Sequence, residues 1–220
     1  MVKNSEHNAD GHDARVRLVL AGLRLFAQKG YEGATTREIC EAADANISAI
    51  RYYFGDKAGL YRAAFHEPLG EKPCQVDIEA LAGLPLAEAL SRFFKEFLAP
   101  LKMGEDINLL MKLRFREMTE PTGVWQQEID AEIKPQHLAL ATLLKQYLQL
   151  AEIDMDIHRL TFAVIGMAIH FYVGQEVIVS IAPTMLTCDQ AIDTLAERLA
   201  VFATAMVAAE AARRQQGVVT

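Results

Sequence analysis

The chain has 220 residues, 51% of them hydrophobic, and a formal charge of −7. That is too apolar for a disordered chain and enough for one compact core, or for a small domain joined to a larger one. Cys40, Cys74 and Cys188 lie far apart and form no CxxC pair, so neither a disulfide framework nor a zinc cluster is indicated. Reduced thiols fit a cytoplasmic protein.

Charge is unevenly placed. Residues 1–65 carry nine Lys/Arg against eight Asp/Glu, a net of +1, and the remainder carries −8. A negative total still permits nucleic-acid binding where the cations share one face. The opening "MVKNSEHNADGHD" is polar, without a signal-peptide core, and reads as a flexible arm over residues 1–13.

Asp13 is placed to cap a first helix over about 14–29. Its apolar face is Leu18, Val19, Gly22, Leu23 and Phe26, and Gly30 follows as a stop. Thr35-x-x-Glu38 matches a capping box and opens a second helix. Asp44-Ala45 is a turn, a third helix covers about 46–53, and Asp56 caps a fourth over about 57–67, ahead of Pro68. Residues 68–85, with three prolines and two glycines, read as a connection with little regular structure. It separates a domain at 14–67 from a larger one at 68–220. Further helices are predicted at about 86–99, 105–118, 122–150 (split or kinked at Pro135), 156–181 and 188–214. The fold class is all-α.

Two short helices and a tight turn behind a packing helix make a helix-turn-helix, whose second helix enters the major groove. On the third helix Ile50 and Phe54 form the inner side. The outward residues Asn46, Ile47, Ser48 and Ala49 are mostly short, and Arg51 is long enough for a guanine edge or a phosphate. Tyr52, Tyr53 and Lys57 are placed for phosphates. Taken singly, each piece also has an ordinary reading: a bundle turn, a core tyrosine, a solvated arginine.

Thr35-Thr36-Arg37, Ser48 and Tyr52-Tyr53-Phe54-x-x-Lys57-x-x-Leu60, after Leu23-x-Leu25-Phe26-x-x-x-Gly30-Tyr31, resemble the DNA-binding segment of TetR-family transcriptional regulators over about residues 14–65. Arg116-Glu117-Met118-x-x-Pro121-Thr122 and the long apolar helix around Gly166 resemble the CecR-like subgroup. The resemblance implies a homodimer on a palindromic DNA operator, usually a repressor released by a small-molecule effector. It carries phosphate contacts onto Thr36, Tyr53 and Lys57, a base or phosphate contact onto Arg37, and groove-facing roles onto Ile47, Ser48, Ala49 and Arg51. Relatives often have Tyr where Arg51 stands, so no base preference transfers.

Leu160–Ala182 is apolar enough to raise a membrane reading, but His170, Gln175 and Glu176 favour a buried helix. Two features point to a dimer interface. One is a small-residue stripe of Ala163, Gly166, His170 and Gly174. The other is a seam of Ile192, Leu195, Leu199, Phe202 and Met206. Packing inside one chain is the alternative. Ile107, Leu110, Met111, Phe115 and Met118 share a helix face from which Arg114 projects. Arg114 either pairs with Glu117 or another carboxylate, or orients an effector in an apolar cavity with Met111, Phe115, Met118, Trp125, His137 and Phe171. His66, His137 and His158 make no metal pattern. Glu152-x-Asp154-x-Asp156 reads as a solvated turn and helix start. No catalytic residue, metal or cofactor is expected. The competing function is an all-α small-molecule carrier or enzyme without DNA binding.

Overall fold

In the computed structural model, residues 3–69, 76–123, 126 and 129–217 are described, and among them there is no strand. The all-α class holds. The chain divides into two compact units. Met1–Pro73 and Met103–Trp125 form the first, and Cys74–Lys102 and Gln126–Thr220 form the second.

The first unit holds α1 (Lys3–Gly33), α2 (Thr36–Ala42), α3 (Ser48–Phe54), α4 (Lys57–His66) and α6 (Glu105–Glu117). From Lys3 onward the segment expected as an arm continues α1, and Asp13 is not a cap. Its carboxylate lies inside the helix and accepts from Arg17 Nη1 at 2.7 Å, one turn on. Gly30 breaks the helix as expected, with φ 76° and ψ 174°. The positive φ favours glycine; a Cβ there would also lie 2.9 Å from Arg116 Nε, and the arginine would have to shift. The core joins Leu18, Leu23 and Phe26 of α1, Ile39 of α2, Ile50 of α3, Leu60, Tyr61 and Phe65 of α4, and Leu110 and Leu113 of α6. Each fully buried side chain of this size stabilises the fold by about 1.5–3 kcal/mol relative to exposure. The helix at 105–118, assigned from sequence to the larger domain, thus packs on α1 and α4.

The second unit holds α5 (Leu86–Leu98), α7 (Lys134–Tyr147), α8 (Met155–Val173), α9 (Gln175–Ile181) and α10 (Asp189–Gly217). The connection before α5 is less irregular than expected. It contains short 3-10 turns at Glu67–Leu69 and Glu79–Leu81, and it buries Val76, Ile78 and Leu81. The helix expected over 122–150 is a π turn at Ile129–Ile133 followed by α7, with Pro135 in the first turn, where its missing N–H leaves no bond unmade.

The span expected as one helix over 156–181 is α8 and α9, bent by 78° at Gly174. Among the described residues no single helix is long and apolar enough to cross a membrane. Asp154 caps α8 by accepting from the Ile157 N–H at 3.0 Å. It also takes both forks of Arg214 at 2.7 and 2.9 Å, while Asp156 pairs with Arg213 at 2.7 Å. The acidic run read as a solvated turn therefore ties the start of α8 to the end of α10. These bonds hold the Asp154 carboxyl far below its ordinary range, Arg214 being the main cause.

Candidate nucleic-acid interface

Three local devices set α2, α3 and α4 at fixed angles. The first is the capping box. Thr35 Oγ1 accepts from the Glu38 N–H at 3.2 Å, and Glu38 Oε2 accepts from the Thr35 N–H at 3.0 Å. Lys29 Nζ donates to Glu38 at 2.7 Å and is the chief cause that lowers the Glu38 carboxyl to about 2. The second device is the turn between α2 and α3. Asp44 adopts φ 48°, the Ala45 N–H donates to the Cys40 carbonyl at 3.0 Å, and Arg17 Nε donates to the Ala43 carbonyl at 3.0 Å. The third is the junction of α3 and α4. Asp56 caps α4 through the Gly59 N–H at 2.7 Å, and a Cβ on Gly59 would lie 1.9 Å from the Phe54 carbonyl oxygen. Only glycine lets the two helices approach so closely.

On α3, Ile50 is buried and Phe54 half-buried, as the inner-face pattern predicted. The outward residues divide into two sets. Asn46 Oδ1 accepts from the Ser48 N–H at 3.0 Å and from Ser48 Oγ at 2.9 Å, so the two residues are committed to starting the helix. Ala49 and Tyr53 are half-buried and pack against the core. Arg37 pairs with Glu41 at 2.9 Å on an exposed face. Lys57 lies 4.5 Å above the Tyr31 ring, and Thr36 is half-buried at the start of α2. Ile47, Arg51 and Tyr52 remain. Ile47 is 59% exposed and Tyr52 81%. Arg51 is exposed and makes no side-chain hydrogen bond or ion pair among the described residues.

Sequence reasoning missed Arg15. Its guanidinium makes a two-pronged pair with Glu67, at 2.7 and 2.6 Å, and lies 5.1 Å from the Phe54 ring centroid. The Glu67 bond raises the arginine further above its ordinary pKa. One side chain of α1 thus touches the end of α3 and the residue after α4.

Glu117 was expected beside Arg114, but its oxygens serve other groups. Buried, it accepts from the Tyr61 hydroxyl, from Thr122 Oγ1 at 2.8 Å and from the Thr122 N–H at 3.0 Å. Burial, and then the Glu117 bond, push the Tyr61 hydroxyl far above its ordinary pKa. The motif Arg116-Glu117-x-x-x-x-Thr122 therefore fastens α6 to α4. Arg114 lies 5.2 Å from the Phe65 ring centroid.

Of the other residues considered for an effector, Met111 is buried, Phe115 half-buried and Met118 exposed, all in the first unit. His137 and Phe171 belong to the second unit, and Trp125 lies outside the described residues. His137 Nε2 is 2.9 Å from His158 Nδ1, the two rings stack, and the Phe162 ring lies tilted against His137 with centroids 4.3 Å apart.

The apolar seam of α10 divides. Ile192, Leu195 and Leu199 are buried within the second unit, where α10 packs along α5, so they are not available to a second chain. Phe202 is exposed and Met206 half-buried. On α8, Ala163, Gly166 and His170 are exposed, and nothing lies within 4 Å of a Cβ built on Gly166. Gly174 is different: a Cβ there would meet the His170 carbonyl at 2.9 Å, so it serves the bend.

A helix-turn-helix with exposed Ile47, Arg51 and Tyr52, in a chain with a second helical unit, is the arrangement of a DNA-binding regulator. The model of bacterial regulatory proteins of the tetR family matches residues 18–64. That of the C-terminal domain of the HTH-type transcriptional dual regulator CecR matches residues 86–208. The chain is 30% identical over 188 residues to the HTH-type transcriptional dual regulator CecR of Shigella flexneri, covering 80% of this chain and 83% of that protein. It is 40% identical over 55 residues to the HTH-type transcriptional repressor AcnR of Corynebacterium glutamicum, covering 25% and 29%. A TetR-like transcriptional regulator from Rhodococcus sp. RHA1 shares the fold with TM-score 0.59 at 18% identity, over 87% of this chain and 96% of that one. The chain belongs to the TetR family of transcriptional regulators, with a C-terminal domain of the CecR type. It is a DNA-binding regulator and not an enzyme.

Proposed function

We propose that the chain represses transcription by binding a palindromic operator as a homodimer, with α3 of each protomer in the major groove, and that a small-molecule effector releases it. The observation that carries this reading is the outer side of α3. There an exposed guanidinium, without a hydrogen-bond or ion-pair partner among the described residues, stands beside exposed Ile47 and Tyr52, on a helix whose inner side is anchored by Ile50. Thr36, Arg37, Tyr53 and Lys57 flank the reader as phosphate contacts. The relative AcnR is named a repressor, which supports the sign of regulation. The regulator acts in the bacterial cytoplasm, where its operator lies.

The dimer forms through the open faces of α8 and α10, with Ala163, Gly166, His170, Phe202 and Met206 at the contact. The two reader helices then stand about 34–36 Å apart, or a multiple of it, to meet successive half-sites. The effector engages Arg114, between Met111 and Phe115 on α6, a helix that Glu117 fastens to α4. A ligand acts only through its different affinity for two states, so a hundredfold loss of DNA affinity needs a preference of about 2.7 kcal/mol.

Selection from a random duplex pool, followed by a mobility shift, tests the reading. An enriched duplex retained over a scrambled one is expected. Equal retention of both, or none at low salt, would remove the operator reading. Arg114→Met, which keeps apolar bulk without donors, should bind the selected duplex normally yet respond less to effector.

A further inference from the structure

Two of the exposed reader residues have unlike chemistry, and their spacing makes them a pair. Ile47 has φ −58° and ψ −28°, so it already follows the helical path that α3 continues. Ile47 and Arg51 are one turn apart, on the same side and about 6 Å along the axis. Some of the neighbouring polar atoms are already committed within the chain. Reading adenine by a side-chain amide needs its oxygen to accept from the base amino group. The Asn46 oxygen instead accepts twice from Ser48. Arg37, paired with Glu41 on an exposed face, is assigned to a phosphate, and Ala49 packs on the core. Tyr52 is turned about 100° from Arg51, toward the flank. The long side chains on this outward face are one branched aliphatic group, Ile47, and one guanidinium, Arg51.

We propose that Ile47 reads the 5-methyl group of a thymine and Arg51 the O6/N7 edge of a guanine about two base pairs away, so that each operator half-site is defined by this thymine–guanine pair. In the major groove, apolar contact distinguishes thymine by its methyl, and a guanidinium matches the two guanine acceptors. The 6 Å between the two residues, set against about 3.4 Å per base pair, gives the spacing. The assignment rests on α3 being the groove helix.

The test uses the full-length protein and the duplex enriched from the random pool. Each thymine is replaced in turn by deoxyuridine, which deletes only the methyl, and each guanine by 7-deazaguanine, which deletes only N7. With the wild type, one uridine per half-site should weaken binding about fourfold. One deazaguanine about two base pairs away should weaken it roughly tenfold or more. Ile47→Ala should become indifferent to that uridine alone, and Arg51→Met to that deazaguanine alone. The wild-type series is decisive by itself if a variant fails to fold. Uniform tolerance of uridine, or sensitive positions far from two base pairs apart, would overturn the assignment. So would variants that keep the wild-type pattern. In each of these cases operator binding would stand. A pool with no enriched duplex would overturn operator binding itself, and this assignment with it.

Discussion

The two units treat their surfaces in opposite ways. The first buries most of its large apolar groups across five helices; Ile47 and Tyr52 on the reader, and Val16, Met103 and Met118 elsewhere, are its exposed ones. The second leaves Phe162 at 66% and Ile181 at 78% exposure, with Val173, Val177, Val201 and Phe202 also open. Large aliphatic groups on neighbouring helices mark a surface that another protein surface covers. The first unit is finished as one chain and presents itself to a charged polymer. The second, on the proposed reading, is completed by a second copy. This contrast predicts that damage in the first unit appears as unfolding or lost DNA affinity, and damage on the open faces of the second as dissociation.

The largest effect belongs to Gly59. Alanine there drives a Cβ into the Phe54 carbonyl, 1.9 Å away in the unrelaxed backbone, so α3 and α4 must separate. Overpacking of this kind costs about 3 kcal/mol. Urea unfolding should show it, and the selected duplex should no longer be retained. A midpoint within error of the wild type would mean that the α3–α4 angle is softer than the contrast requires.

Tyr61→Phe comes next. It removes one donor from a buried carboxylate that holds α6 to α4. Hydrogen bonds to charged groups are worth about 1.5–3 kcal/mol, and stability should fall by about that much. Thr122→Ala removes another donor to the same carboxylate, so the double variant should lose less than the sum. Strict additivity would show that the three groups do not act together.

These two cases also show where sequence legibility ends. The capping box, the stop at Gly30, the Asp56 cap and the inner face of α3 were all readable, because each rests on residues within one or two turns of each other. Tyr61 with Glu117, and Arg15 with Glu67 and Phe54, join residues 39 to 56 apart, and no local periodicity encodes such a meeting. The seam of α10 failed for a related reason. A run spaced three and four apart states that a helix has an apolar side, not whether its own chain or another covers it. The bend at Gly174 was hidden because one glycine in an apolar run is compatible with a continuous helix.

Phe202→Ser probes the second unit and should act differently. The ring is about half exposed in one chain, so its loss costs little within the protomer. Covered by a second copy, it should contribute about 1–2 kcal/mol per protomer. Sedimentation at decreasing concentration should then show dissociation at roughly tenfold or more higher concentration than the wild type. Thermal unfolding at concentrations low enough for both to be monomeric should move little. A variant that unfolds without dissociating would place Phe202 in its own chain's core and weaken the contrast.

The smallest effect concerns acid. His137 and His158 meet at 2.9 Å between ring nitrogens, and His137 Nδ1 is buried without a hydrogen-bond partner. A short contact between two ring nitrogens needs one to carry a hydrogen and the other a lone pair. With Nδ1 unpartnered, the preferred form has His137 Nε2–H donating to His158. A further proton must then enter a buried nitrogen or displace that bond. Burial first, and the His158 charge second, push His137 below its ordinary pKa. The unfolded chain therefore takes up this proton before the folded one does. Stability is level above about pH 6.5, falls as pH drops from there through the lowered folded value, and levels again once both states are protonated. Urea midpoints between pH 7.5 and 5 should show this shallow loss, on top of whatever the carboxylates add at the acid end. His137→Gln cannot titrate, so its midpoint should be flatter across the upper part of that window. If wild type and variant run parallel through it, the proton uptake of His137 does not change on folding, and the α7–α8 contact is indifferent to it.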